Sequence, residues 1–313
     1  MNGKDFISIH DFSADNIRTI LETAIEIKAN PDEFETELEG LTLAMIFEKP
    51  SLRTRVSFEA GMTQLGGHAI YLGPKDISLG KRESVPDVAR TLDRMTNMIM
   101  ARTFAHDSVL QLAEFASVPV INGLSDLLHP CQAMADFQTI LEKKGKLEGI
   151  TLAYVGDGNN VAHSLMYAGA KTGTHVRIVC PEGFDPKDEV LAAAREDAKE
   201  TGAEITVTHS MDEGAADADV IYTDVWASMG QEKEADDRKK IFVPFQVNGG
   251  VMAKAKDDAI FMHCLPAHRG DEVTDEVIDS WQSVVFGQAE NRLHAQKALM
   301  VLLNRATFAR KSS

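Results

Sequence analysis

The feature that most constrains this chain is the alternation of short apolar runs with segments of helical periodicity. This alternation is typical of βαβ units, in which helices connect parallel strands. It occurs in two series, one before Cys131 and one from Gly149 onward. The pattern predicts an α/β fold of two lobes, each a mostly parallel sheet flanked by helices, joined by interlobe helices. The predicted strands read LTLAMIF, AIYL, NMIMA and VPVI in the first series and ITLAYVG, HVRIVC, EITVTH, DVIYTDVW, AIFMHCLP and SVVFG in the second.

The domain boundaries follow from the gap between the two series. A length of 313 residues favours two domains over one. We expect a first domain at 1–130, an interdomain helix within 131–148 and a second domain at 149–289. The segment at about 290–313 has helical spacing and no strand after it, so we expect a helix that packs back on the first domain.

Charge and cysteine content limit the partners and the compartment. The 48 acidic and 32 basic residues give a net charge of −16, which argues against a nucleic-acid or anionic-membrane binder. The N-terminus lacks a cationic region followed by an apolar run, and no stretch is apolar enough to span a membrane, so we expect a cytoplasmic protein. Three cysteines are too few for a disulfide framework. Because the net charge is strongly negative, we expect any anionic ligand to bind at a local cluster of basic residues.

Loops after the first-series runs carry groups that suit an anion, and ligands of α/β sheets bind at the carboxyl ends of strands. Ser51 suits a helix N-cap, and the helix start with Arg53 and Arg55 beside it would attract an anion. A capped helix with two solvated arginines is the alternative. Arg102 ends another run, where a buried charge needs a partner. His129 places a titratable ring in a third such loop.

The loop at 156–160, GDGNN, begins like a dinucleotide-binding fingerprint. Val161 stands where that fingerprint has its third glycine, so NAD binding is a weak alternative. The chain also contains no G-x-x-x-x-G-K-[ST] phosphate loop, which excludes the usual nucleotide-hydrolase class.

Asp224 and Cys264 follow two later runs of the second series. Cys264 and His268, with His129, are the right residue types for zinc, but no CxxC or HExxH spacing supports a metal site. A nucleophilic Cys264 and a buried inert thiol both stay open, because thiolate character depends on local positive charge.

Taken together, these loops resemble one family. SLRTR, ARTF, HPCQ, GDGNN, DVWASMG, HCLP and AENR occur in that order over nearly the whole chain. This set is similar to the aspartate/ornithine carbamoyltransferase superfamily, and SMG with HCLP resembles its ornithine branch. The resemblance implies transfer of the carbamoyl group of carbamoyl phosphate to the δ-amino group of L-ornithine, giving L-citrulline and phosphate in arginine metabolism. It also implies that the reaction needs neither a metal nor an organic cofactor.

The resemblance also implies which residues bind carbamoyl phosphate. The first-lobe loops would clamp the phosphate and polarise the carbonyl, with Arg102 and His129 as catalytic residues. Gln132 and the Leu265 carbonyl would orient the carbamoyl nitrogen. The full implied set is Ser51, Leu52, Arg53, Thr54, Arg102, His129, Gln132, Leu265 and Arg292.

The second-lobe loops would bind ornithine. Asp224 and Cys264 would manage the proton of its δ-amine, by orienting the amine or through a thiolate. Related enzymes are homotrimers, and Ser78 is a possible contributor from a neighbouring subunit. A carbamoyltransferase for another amine and a catalytically silent relative are the remaining alternatives. The implied ornithine-binding set is Asn160, Asp224, Ser228 and Met229.

Overall fold

The fold is seen in a computed structural model that describes residues 5–227 and 235–312. Contacts divide the chain into two compact units. The first unit comprises Met1–Gln138 with Asn291–Ser313, and the second comprises Thr139–Glu290. Each unit has its own parallel sheet flanked by helices. The predicted α/β fold of two lobes is therefore confirmed.

The sheet of the first unit has four parallel strands. Their order is β2-β1-β3-β4, so β1 and β3 are central, and both are buried along nearly their whole length. Burial on both faces is why these runs are continuously apolar instead of alternating. The strands are β1 (Thr42–Phe47), β2 (His68–Leu72), β3 (Met98–Arg102) and β4 (Val120–Leu124).

Helices connect these strands, as the alternation predicts. Ser13 is the N-cap of the first helix, and its side chain accepts a hydrogen bond from the Asn16 N–H at 3.2 Å. The helices are α1 (Ala14–Ala29), α2 (Leu52–Gln64), α3 (Pro74–Ile77), α4 (Val85–Asp93) and α5 (His106–Phe115).

The next helix, α6 (Pro130–Lys144), crosses the boundary between the two units, which falls after Gln138. Proline suits the first position of a helix because its missing N–H would have no partner there. The helix predicted in this segment is therefore present and begins at Pro130.

The sheet of the second unit has five parallel strands in the order β7-β6-β5-β8-β9. The strands are β5 (Thr151–Val155), β6 (His175–Val179), β7 (Ile205–Thr208), β8 (Val220–Thr223) and β9 (Ile260–His263). The helices are α7 (Asn160–Thr172), α8 (Asp188–Asp197), α9 (Met211–Ala215), α10 (Ala235–Phe242), α11 (Gly249–Met252) and α12 (Asp275–Ile278).

The last helix, α13 (Val285–Ser312), starts earlier than the sequence predicts. The strand predicted at SVVFG is wrong: Ser283 makes one isolated bridge to Phe261, and the chain then turns helical at Val285. A short apolar run fits either structure, and periodicity alone does not separate them. Although α13 is long, no helix in the described ranges is apolar enough to cross a membrane.

Gly158 is a position where the fold excludes a side chain. A Cβ added there would lie 2.2 Å from the Pro186 nitrogen and 2.4 Å from the Asp185 carbonyl carbon, both rigid backbone atoms. We expect Gly158→Ala to lower the free energy of unfolding by about 1–3 kcal/mol, measured from urea unfolding midpoints. Gly287→Ala is the matched control, because nothing lies within 4 Å of its added Cβ. An equal loss in both variants would contradict the steric argument.

Candidate active site

The helix start after β1 is the first part of the candidate site. Ser51 is the N-cap of α2, as predicted, and its Oγ accepts a hydrogen bond from the Thr54 N–H at 3.3 Å. Thr54 is fully buried, Arg53 is half-buried and the Leu52 side chain is 74% exposed. The first N–H groups of a helix have no partner within it, so they and the helix dipole favour an anion at this position.

Arg292 of α13 ties this helix start to α6. Its Nη2 donates to Thr54 Oγ1 at 3.2 Å, and its Nη1 donates to Gln132 Oε1 at 2.7 Å. Gln132 in turn donates from Nε2 to Asp136 Oδ1 at 2.8 Å. Arg292 and Gln132 are each only 2% exposed. The buried guanidinium is thereby held in place by two side-chain oxygens.

His129 lies where the cationic side chains converge. It precedes α6 and is 6% exposed, while Arg102 ends β3 and is 5% exposed. Burial holds the pKa of His129 well below its usual value, and the positive charges of Arg292, Arg102 and Arg53 lower it further. Burial and the positive charges of these three predicted arginines together favour the neutral imidazole of His129.

The lowered pKa of His129 makes a prediction about acid stability. Unfolding exposes an ordinary histidine of pKa about 6.5, which takes up a proton that the folded state rejects. This contribution to stability is fully present above pH 6.5 and is lost as the pH falls from 6.5 toward the folded pKa. We expect His129→Gln to lose less stability between pH 7 and pH 5 than the parent, measured by urea unfolding at each pH. The exposed His68 is the control: a His68→Gln difference of the same size would overturn the assignment.

In the second unit, Asp224 and Cys264 meet at the ends of neighbouring strands. β8 and β9 pair with Thr223 opposite His263, so the residues that follow each strand are adjacent. Cys264 Sγ donates to Asp224 Oδ1 at 2.9 Å, and the Val225 N–H donates to the same oxygen at 2.8 Å. Asp224 is 6% exposed. These hydrogen bonds hold the Cys264 thiol and the Asp224 carboxylate in a fixed position relative to each other.

Asn159 holds the other oxygen of this carboxylate, a contact that the sequence analysis missed. Its Nδ2 donates to Asp224 Oδ2 at 3.1 Å, while its Oδ1 caps α7 and accepts from the Tyr154 hydroxyl at 3.2 Å. Burial first, and then nearby acidic groups, raise the pKa of Tyr154 well above its usual value, so the hydroxyl stays a donor. The predicted Asn160 is the first residue of α7 and is half-buried.

A buried histidine supports the loop after β9. The Leu265 N–H donates to His263 Nδ1 at 2.8 Å, which makes Nε2 the protonated nitrogen, and Nε2 lies 3.1 Å from Glu272 Oε1. Both side chains are fully buried. Leu265 has a φ of 55°, a left-handed conformation that is unfavourable for a residue with a side chain. Nothing in the sequence around Glu272 singles it out as this partner.

The remaining predicted positions are placed as follows. Ser78 lies at the C-cap of α3 with a φ of 43°, and its Oγ donates to the Pro74 carbonyl at 3.1 Å. Ser228 and Met229 lie outside the described residues. The roles assigned to all these side chains stay predictions, including the cross-subunit role of Ser78.

Comparisons with known proteins cover nearly the whole chain. Residues 4–142 match the model of the aspartate/ornithine carbamoyltransferase carbamoyl-P binding domain, and residues 148–303 match that of the Asp/Orn binding domain. Ornithine carbamoyltransferase of Thermococcus kodakarensis is 57% identical over 303 residues, 96% of either chain. Anabolic ornithine carbamoyltransferase of Pyrococcus furiosus is 56% identical over 303 residues, again 96% of either chain.

Solved structures give the same similarity in three dimensions. Ornithine carbamoyltransferase from Pyrococcus furiosus superposes with a TM-score of 0.93 at 56% identity, covering 95% of this chain and 96% of that one. Anabolic ornithine carbamoyltransferase from Campylobacter jejuni superposes with the same TM-score, 0.93, at 38% identity, covering 97% of this chain and 100% of that one.

Proposed function

The chain belongs to the aspartate/ornithine carbamoyltransferase family and transfers the carbamoyl group of carbamoyl phosphate to the δ-amino group of L-ornithine, and we propose that the two sites described above divide this reaction. The products are L-citrulline and phosphate. The first unit carries the carbamoyl phosphate site and the second carries the ornithine site. The observation that carries the proposal is the buried Arg292, which hydrogen-bonds to Thr54 at the start of α2 and to Gln132, three residues after the buried His129.

The first-unit cluster suits a dianion with a reactive carbonyl. The start of α2, with Ser51, Arg53 and Thr54, supplies backbone and side-chain donors for the phosphate, and the backbone of Leu52 completes this set. Arg102 reaches both the phosphate and the carbonyl oxygen in this proposal. Donors already in place stabilise the oxyanion of the tetrahedral intermediate without reorganisation, which is the largest single contribution in many enzymes.

His129 acts in its neutral form. With its pKa held low, the ring donates one hydrogen bond to the developing oxyanion and adds no charge that would retain the phosphate product. Gln132 and the Leu265 carbonyl orient the carbamoyl nitrogen, and Arg292 supports both Gln132 and Thr54 through its hydrogen bonds.

The second-unit pair acts on the amine. Ornithine must attack as a neutral amine, yet an alkylammonium group has a pKa of about 10.4, so deprotonation near pH 7.5 costs about 4 kcal/mol. The Asp224 carboxylate accepts a hydrogen bond from the Cys264 thiol. In this proposal, the two side chains lie where the ammonium group of ornithine loses its proton. We assign the δ-amine to Asp224 and Cys264. The α-carboxylate is assigned to Asn160 and the backbone at Met229, and the α-ammonium to Asp224 with Ser228.

The experiment that tests this function is an amine panel. Purified protein is assayed colorimetrically with carbamoyl phosphate and, in parallel, ornithine, putrescine, N-acetylornithine and aspartate. We expect carbamoylated product from ornithine alone. Product from another amine would keep the first-unit site and overturn the ornithine assignment, and no product from any amine would identify a silent relative.

The proposal also covers the oligomeric state, the cellular compartment and the physiological direction of the reaction. We infer a cytoplasmic homotrimer, supported by the resemblance to trimeric enzymes and by exposed apolar side chains at Leu52, Val56 and Ile70 in the first unit. Two of the relatives named above are called anabolic, which supports the biosynthetic direction for this chain. The mass of the native particle by light scattering tests the trimer, and a monomer would refute it.

A further inference from the structure

A second cluster of polar groups lies in the second unit, at the ends of β6 and β7, which β5 separates from β8 and Asp224. β6 and β7 pair with Val179 opposite Thr208, so the next residues, Cys180 and His209, are neighbours. The Cys180 N–H donates to the Thr208 carbonyl at 3.2 Å, which fixes this corner of the sheet. The carbamoyl-transfer reaction assigns this corner no role.

The hydrogen bonding of His209 leaves one ring nitrogen facing a carboxylate. Its Nδ1 lies 2.9 Å from the Cys180 carbonyl oxygen, and a carbonyl oxygen only accepts, so Nδ1 carries the proton. In the neutral ring, Nε2 then presents a lone pair, and it lies 3.6 Å from Asp185 Oδ1. A histidine whose second nitrogen is held by a backbone carbonyl is the usual arrangement of a metal-ligating imidazole.

Cys180 adds a sulfur to the same place. The ligand atoms of Cys180, Asp185 and His209 all lie within 4.8 Å of one another. Burial first, and then the carboxylates of Asp185 and Asp157, raise the pKa of the Cys180 thiol to about 12. A divalent cation held by these three ligand atoms would displace the thiol proton to solvent and bind the thiolate.

The backbone under the cluster is held while two of its side chains can adjust. The Gly158 N–H donates to the Phe184 carbonyl at 2.8 Å, and Gly158 packs directly against the Asp185 backbone. The side chains of Asp185 and His209 are 44% and 42% exposed, so they can approach an ion arriving from solvent.

We propose that Cys180, Asp185 and His209 form a binding site for a borderline-soft divalent cation of the zinc type. One sulfur, one nitrogen and one oxygen ligand form a tetrahedral set with its fourth position open to water. None of these three ligands is among the residues assigned to the transfer reaction. Bound metal would crosslink the ends of β6 and β7 to the segment that carries Asp185.

Cobalt titration tests this site. Co²⁺ is added to the chelator-treated full chain in a Cys264→Ser background, because Asp224, His263 and Cys264 form another group with ligand atoms within 4.8 Å. We expect one equivalent bound, with tetrahedral visible bands and a near-ultraviolet thiolate-to-cobalt band that Zn²⁺ removes by competition. Adding Cys180→Ser abolishes the thiolate band, and His209→Gln or Asp185→Asn weakens binding by at least about tenfold.

Cys131→Ser is the matched thiol control in the same background. Cys131 is equally buried and its pKa is likewise raised to about 12, but it belongs to neither ligand group among the described residues. Its thiolate-band intensity and stoichiometry are expected to match the background protein. The proposal is overturned if no thiolate band forms, if the band survives Cys180→Ser, or if the half-exposed Asp185 and His209 variants, checked for folding by circular dichroism, bind cobalt as tightly as the background protein.

Discussion

Replacing Arg102 by alanine is expected to lower kcat by about 10²–10³ or more, because the proposed mechanism uses its guanidinium as a donor to the developing oxyanion. Arg102 is 5% exposed at the end of β3 and contributes to the positive charge that lowers the pKa of His129. Carbamoyl phosphate binding, measured by calorimetry, should weaken as well, since the proposed site places the same guanidinium on the phosphate. The rate is measured as citrulline formed at saturating concentrations of both substrates.

The control for this variant is another arginine of the first unit. Arg18 pairs with Asp15 on α1, and its side chain is 69% exposed, so Arg18→Ala is expected to leave kcat unchanged. Circular dichroism and urea unfolding establish that Arg102→Ala is folded. A folded Arg102→Ala protein with a kcat within threefold of the parent would remove Arg102 from the transition-state contacts.

Much of the fold was predictable because buried parallel strands leave a simple pattern. β1, β3 and β5 are buried almost throughout, and each appears in the sequence as a short, continuous apolar run followed by a helical segment. The run at 283–287 is also short and apolar, but the chain becomes helical within it, at the start of α13. Its length and residue types suit both structures, so tertiary packing decides between them.

The positions of the site loops were predictable for the same reason, while the contacts inside them were not. Asp224 and Cys264 follow strands that are neighbours in the sheet, so the strand-end rule places them together. Asn159 and Asn160 are adjacent and chemically identical, and only the geometry of the α7 cap shows that Asn159 holds Asp224. Glu272 lies in a polar loop segment, and its complete burial depends on how that loop folds back on His263.

The charge distribution explains how an acidic protein can bind a dianion. The net charge of −16 predicts repulsion of phosphate at long range, and screening at physiological ionic strength limits that repulsion to about 8 Å. Inside the first unit, Arg292 and Arg102 are nearly excluded from water, where a fixed positive charge interacts most strongly. Local burial of cations therefore outweighs the overall charge.

Asp224→Asn is the second change with a large expected effect, and it should act on one substrate only. The carboxylate accepts from the thiol of Cys264, from Asn159 and from the Val225 N–H, and an amide keeps the shape but loses the charge that would hold an ammonium group. We expect kcat/KM for ornithine to fall by about 10²–10³. Carbamoyl phosphate affinity, measured by calorimetry without ornithine, should stay within twofold.

The matched control is Glu196→Gln, because Glu196 and its partner Lys199 are each 71% exposed and their pair is a surface contact worth little. Cys264→Ser separates the two partners of the buried pair, since serine keeps a donor to Asp224 but has no accessible anionic form near neutral pH. If the thiol only orients the amine, Cys264→Ser retains most of kcat, whereas a thiolate base predicts a loss as large as that of Asp224→Asn. Equal weakening of carbamoyl phosphate and ornithine in Asp224→Asn would mean that the carboxylate supports the fold and does not select the amine.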